Sequence, residues 1–201
     1  MNIKYLQQEF FFTTNSYACS NGLALSAASK QLNRLYKKHI IEKVTRGVWA
    51  NTNHPYYSPL AIVPYLLGKE QGYISFLTAL HSHGIISQIP LKIQIATTGH
   101  KRDLKSPIGH FEFIHLTPHM MKEGISWSEN KSNYLIASPE KALLDTLYIS
   151  TRKSKRFSSL PELDLENLNV KQFKCLMNNN IKSKTIKIAI EKYMEQYKKN
   201  N

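Results

Sequence analysis

Apolar residues recur at helical spacing in the first quarter of the chain. Ala28, Leu32, Leu35 and Tyr36 form one narrow stripe. Ser26 offers a hydroxyl suited to capping a helix start. At about 100° per residue, Ser26, Lys30, Asn33, Arg34 and Lys37 gather on the arc opposite that stripe. Two β-branched runs follow, 40–45 and 48–50, joined through Arg46-Gly47, and they predict a short hairpin with a basic tip. Upstream, Ile3, Leu6 and Phe10 predict a helix over 3–12. Thr13 or Thr14 can cap a second short helix through Tyr17 and Ala18, closed by Asn21-Gly22.

Helix, helix, turn, basic helix and hairpin is the order of a winged helix-turn-helix, assigned to residues 1–53. Residues 51–58, with Pro55 and two tyrosines, read as a linker. Ser58-Pro59 suits a helix start, and Pro64 should delay or kink that helix. Residues 73–84 predict a helix with Leu77 and Leu80 on one face and Gly84 as its stop. Residues 92–98 and 109–116 alternate as half-buried strands expected to pair, with a basic turn over 99–107 carrying Lys101, Arg102 and Lys105. Residues 133–137 predict a further strand. It leads into a helix capped by Ser138, with Pro139 in its first turn and Glu140 at its positive end. Residues 150–159 form a basic internal linker. A helix over 170–177 broken at Asn178 to Asn180 follows, and then one from about 183 to 197 striped by Ile186, Ile190, Tyr193 and Tyr197. The predicted class is α+β, a winged helix-turn-helix followed by a mixed α/β domain over 58–201 with a small sheet and C-terminal helices.

Charge sharpens this picture. The chain carries a net +13, a field that favours polyanions. Residues 1–53 hold seven Lys/Arg against two Asp/Glu, a net of +5. Residues 54–150 hold eight against seven, and residues 151–201 hold twelve against five. A nearly neutral body thus lies between two basic segments, and the first of these also has the helix-and-hairpin pattern. Cys19 and Cys175 lie far apart without metal-ligand spacing, so neither a disulfide framework nor a zinc site is indicated. No apolar run approaches the roughly 18 residues of a bilayer span, and the N-terminus lacks signal-peptide character. A cytoplasmic protein without membrane attachment is expected.

Catalytic and metal-binding groups are sparse. His81 and His83, two apart on a helix, do not face one ion together. Asp103 and Glu112 resemble the acidic pair of a metal-dependent nuclease, yet Ile114 stands where the lysine of that pattern belongs. Ser138, Glu140, Lys141 and Asp145 can be grouped as a catalytic set, but helix capping and helix electrostatics account for them. The expectation is no enzyme, no metal and no cofactor. An enzyme acting on nucleic acid, built on Asp103, Glu112, Glu140 and Asp145, is the contrasting hypothesis.

The chain resembles the AbiEi family of antitoxins and transcriptional regulators, linked to phage defence. The matching points are Leu32-Asn33-Arg34-Leu35 with Ile41 and the run Thr45-Arg46-Gly47-Val48-Trp49-Ala50. They continue with residues 73–84 and with Ser138-Pro139-Glu140-Lys141-Ala142-Leu143-Leu144-Asp145. Trp49 stands where the family pattern has tyrosine, and the match is loose after Ser150. The resemblance implies a repressor that binds double-stranded DNA at inverted repeats in its own promoter. It also implies a type IV antitoxin opposing a co-encoded nucleotidyltransferase-like toxin without a stable complex. A stand-alone winged-helix regulator without a toxin is the alternative. Lys30, Asn33 and Arg34 are expected to reach base edges, while Ser26, Ser29, Lys37 and Arg46 are expected to hold phosphate or the minor groove.

Overall fold

A computed structural model describes residues 3–128, 133–152, 156–157 and 159–200. The chain is α+β, with eight α-helices and two sheets among the described residues. Its first part runs α1 (Ile3–Gln8), β1 (Phe11–Thr13), α2 (Thr14–Asn21), α3 (Leu25–Lys37), β2 (Glu42–Thr45) and β3 (Val48–Ala50). Strands β1, β3 and β2 make one antiparallel sheet in that order. Alternation divides its side chains between two cores. Phe12 and Trp49 join Leu6, Tyr17, Ala28, Leu32, Leu35 and Ile41 under the helices. Phe11, Val44, Val48 and Ala50 face the other way, into the main core of the chain. A sheet covered on both faces explains why Val48, Trp49 and Ala50 are all buried.

That main core belongs to the rest of the chain. A 3-10 turn (Pro59–Ile62) runs into α4 (Val63–Leu67), so Pro64 falls in the first helical turn, where a missing N–H costs nothing. Then come β4 (Gly72–Ile74), α5 (Phe76–Ser82), β5 (Ile93–Thr97), β6 (Arg102–Ser106), β7 (Gly109–His115), β8 (Ile125–Trp127), β9 (Leu135–Ala137) and α6 (Pro139–Ser150). Helices α7 (Val170–Asn180) and α8 (Lys184–Asn200) complete it. The sheet order is β6-β7-β5-β4-β9-β8, with β5–β7 and β4–β9 parallel and the other pairs antiparallel. Helix α6 is the hub, packing on α5, α7 and α8. Its residues 140–149 are all buried, and Ser138 caps it by accepting from the Lys141 amide.

Several local expectations are corrected. The helix over 3–12 stops at Gln8, because Phe11 and Phe12 fill cores on opposite sides, which one helical stripe cannot do but a strand can. Ser26 does not cap α3. Left-handed Gly22 closes α2 so tightly that only Leu23 and Ala24 precede α3, which starts at Leu25 without a side-chain cap. The helix over 73–84 is a strand and a shorter helix, since Tyr73 and Ile74 pair at the centre of the large sheet and Phe76 turns the chain at φ +56°. The basic turn over 99–107 contains an edge strand, β6, paired to β7. Asn178 to Asn180 stay helical, with the Asn180 amide donating back to the Leu176 carbonyl at 2.8 Å. Residues 153–155 and 158 of the basic linker, and the side chain of Tyr197, lie outside the described residues.

Candidate nucleic-acid interface

Helix α3 follows its sequence pattern except at Tyr36, which the apolar stripe includes but which is exposed. Ala28, Leu32 and Leu35 are buried against α2 and the small sheet. The Tyr17 hydroxyl, whose pKa burial pushes up, donates to Gln31 Oε1 at 3.1 Å and ties α2 to α3. Ser26, Lys30, Asn33, Arg34 and Lys37 are exposed, and Ser29 is half-buried. Their spacing of three and four residues stacks them along one side of a thirteen-residue helix. Among the described residues none of Lys30, Arg34 or Lys37 forms an ion pair. The Asn33 amide donates one N–H to the Ser29 carbonyl at 2.8 Å. Among the described residues that leaves its second N–H and Oδ1 without a partner.

The hairpin is anchored at its turn. Gly47 takes φ +78°, a left-handed conformation that suits glycine, and its carbonyl accepts from the Thr14 amide at 2.9 Å. Trp49 Nε1 donates to Thr14 Oγ1, also at 2.9 Å. Arg46 is therefore exposed on a turn that is itself fixed to the start of α2. Tyr36 of α3 meets the Trp49 ring edge-on at 6.3 Å, and the Lys43 ammonium lies 5.9 Å from the same ring. Trp49 thus joins the exposed side of the hairpin to the C-terminal half of α3. Lys38 and Lys43 belong to this exposed basic surface and were not singled out from the sequence. Lys43 was legible as the polar neighbour of buried Val44, and Lys38 as the residue ending the helix. An open cleft of about 460 Å³ lies beside Tyr17 and Gln31, bordered by Arg34, Lys37 and Lys38.

The other candidate groups are occupied internally. Asp103 and Glu112 are directly opposed on β6 and β7. Lys92 Nζ bridges them, at 3.0 Å and 3.3 Å. His110 also reaches Asp103 at 3.1 Å, and Gln94 and Arg156 hold Glu112. Burial pushes the Glu112 carboxyl up, but Arg156, Lys92 and Gln94 together bring it below its ordinary value. Lys92 and His110 hold the Asp103 carboxyl low in the same way. Glu140 accepts from the Ser138 hydroxyl and the Asn169 amide. Asp145 is fully buried, paired with Lys141, and accepts from Tyr73 at 2.8 Å and Ser75 at 2.7 Å. His81 bonds the Ile86 carbonyl and His83 the Ala137 carbonyl. No group of three or more His, Cys, Asp and Glu among the described residues could hold a metal ion, and no described helix is long and apolar enough to cross a membrane. No family model matches the chain, and no curated protein sequence does.

Proposed function

We propose that residues 1–53 form a winged helix-turn-helix that binds double-stranded DNA, with α3 in the major groove and the β2–β3 hairpin as the wing. The observation that carries this reading is the division of α3. One face is spent on the core, while the opposite face carries Lys30, Arg34 and Lys37 without an acidic partner among the described residues. Cations presented on a helix and on an adjoining turn suit two kinds of contact. Arg34, Lys30 and Asn33 read base edges, and Ser26, Ser29, Lys37 and Arg46 hold the backbone or the minor groove.

The proposed role of the whole chain is a repressor of its own operon that also acts as antitoxin to a nucleotidyltransferase-like toxin. This part rests on the resemblance to AbiEi antitoxins carried by the three motifs quoted above. The test is a gel shift of the full chain on the DNA upstream of its own gene and on random duplex, across a salt series. Tight, site-preferring binding is expected. A steep salt dependence with no preference for the upstream DNA leaves only nonspecific electrostatics and overturns the repressor reading. Rescue of growth on co-expression with the neighbouring reading frame tests the antitoxin role separately.

A further inference from the structure

Two basic stretches far apart in sequence meet on the large sheet. Lys101 comes from the loop before β6 and His115 from the end of β7. Arg152 comes from just beyond α6, and Arg156 follows it. All four line one cleft of about 370 Å³, whose other described lining residues are Ile114 and Ile149. Among the described residues no carboxylate lines it, and Glu112 reaches it only through its pair with Arg156.

We propose that this cleft is a binding site for a small organic phosphate of nucleotide size, with the cations taking the phosphates and the two isoleucines taking a flat ring. Its volume falls within the range of small-molecule sites, roughly 300–1,000 Å³. Its arginines are held in place before any ligand arrives. Arg152 donates to the Tyr148 hydroxyl at 3.1 Å and lies 4.8 Å from the centre of that ring. Arg156 is held by Glu112 and packs 5.5 Å from the Phe157 ring centre. An arginine fixed through part of its fork retains further N–H donors in a known plane, the geometry that phosphate oxygens accept. His115 Nδ1 donates to the Gly99 carbonyl at 2.9 Å, which fixes the ring beside the cations of the cleft. Arg152 alone would be explained by the negative end of α6. Lys101 comes from the loop before β6 and has no such explanation. Lys101 and Arg152, with no carboxylate partner among the described residues, repel across one concavity, and an anion between them relieves that repulsion.

This site shares no lining residue with the α3 cleft and does not depend on the DNA-binding reading. The test is calorimetric titration of the full chain with ATP and with pyrophosphate, at low and moderate salt. Wild type should bind ATP more tightly than pyrophosphate, because only ATP uses the apolar floor. Lys101→Ala combined with Arg152→Gln should weaken ATP at least tenfold, and Arg34→Ala should leave it unchanged. If the double variant fails to fold, Lys101→Glu at an exposed position carries the same expectation. The proposal is overturned if ATP does not bind, if pyrophosphate binds equally well, or if Arg34→Ala loses ATP as the double variant does. It is equally overturned if the double variant loses random-duplex binding while neither protein binds ATP, since the cleft then contacts a nucleic-acid backbone. Operator binding should be unchanged in the double variant, which separates failure here from failure of the repressor reading.

Discussion

Two polar sets in this chain resemble one another on paper and differ completely in the fold. One is Lys141 and Asp145, one helical turn apart on α6; the other is Lys30 and Arg34, one turn apart on α3. The α6 pair is wholly enclosed, and Tyr73 and Ser75 supply the remaining hydrogen bonds to its carboxylate. Burial and the Asp145 charge push the Tyr73 phenol well above its usual pKa, so it stays a neutral donor in this network. The α3 pair is exposed and bonds to nothing acidic among the described residues. A buried charge must be compensated within the molecule, whereas an exposed one remains available to a partner. The difference teaches that spacing alone places both sets one turn apart on a helix, and that the local environment decides which is enclosed and which is open to a partner.

The largest effect should come from breaking the enclosed set. Asp145→Ala leaves the Lys141 ammonium buried without its counter-charge and removes the acceptor for Tyr73 and Ser75. A loss of about 3–5 kcal/mol in unfolding free energy is expected from such a stranded charge. Gly124 packs its backbone directly on the Lys141 stem: it sits at φ +73°, and a Cβ there would lie 2.8 Å from the Lys141 Cβ. Urea denaturation of the variant checks this. The double change Lys141→Met with Asp145→Leu should recover much of the loss, because it removes both charges at similar volume. A single variant as stable as wild type would show that the pair is not compensating buried charge.

The contrast also marks how much was legible in the sequence. The faces of α3 and the cap and first turn of α6 could be read directly, because each depends on residues within a few positions of one another. The Arg46-Gly47 turn was legible for the same reason. Strand β1 was not, because Phe11 and Phe12 become a strand only by pairing with β3, some forty residues away in the chain. Strand β4 was hidden inside a helical pattern because its two neighbours, β5 and β9, come later in the sequence. Edge strand β6 carried a turn-like composition, and its pairing with β7 overrides local preference. The anion cleft was half-legible. Each basic stretch stood out, but their convergence required the sheet order.

A second way to sharpen the comparison acts on the available set. Arg34→Ala should leave stability nearly unchanged, because the side chain is exposed and supports no neighbour by an ion pair. On operator DNA it should cost about 1–3 kcal/mol and relax the sequence preference at one position. Fluorescence anisotropy with operator and scrambled duplexes measures both quantities. A large drop in melting temperature would move Arg34 into the structural class with Lys141.

Glu112 lies between the two extremes, since its partners Lys92 and Arg156 are themselves part-exposed. Its pKa is lower in the folded chain than the ordinary value of 4.5. The folded state therefore binds this proton less readily than the unfolded state. The stabilisation is complete above the ordinary value and is lost as pH falls through the lower folded value. Stability should decline on acidification from about pH 4.5 downward, and Glu112→Gln should flatten that decline. Chemical denaturation at a series of pH values checks it; an unchanged slope in the variant would assign the acid sensitivity to other carboxylates.

The smallest expected effect distinguishes two members of the exposed set from each other. Lys37 lies in the last turn of α3, past the residues expected to reach base edges, so its ammonium is assigned to phosphate. Lys37→Ala should weaken operator and random duplex by the same factor and reduce the slope of log affinity against log salt by about 1. Arg34→Ala should instead weaken the operator more than the random duplex. Equal losses on both DNAs for both variants would mean that α3 acts only as a line of positive charge. Unequal losses in the expected sense would mean that a helix divided cleanly between core and solvent also divides its solvent face, between residues that read sequence and a residue that holds the backbone.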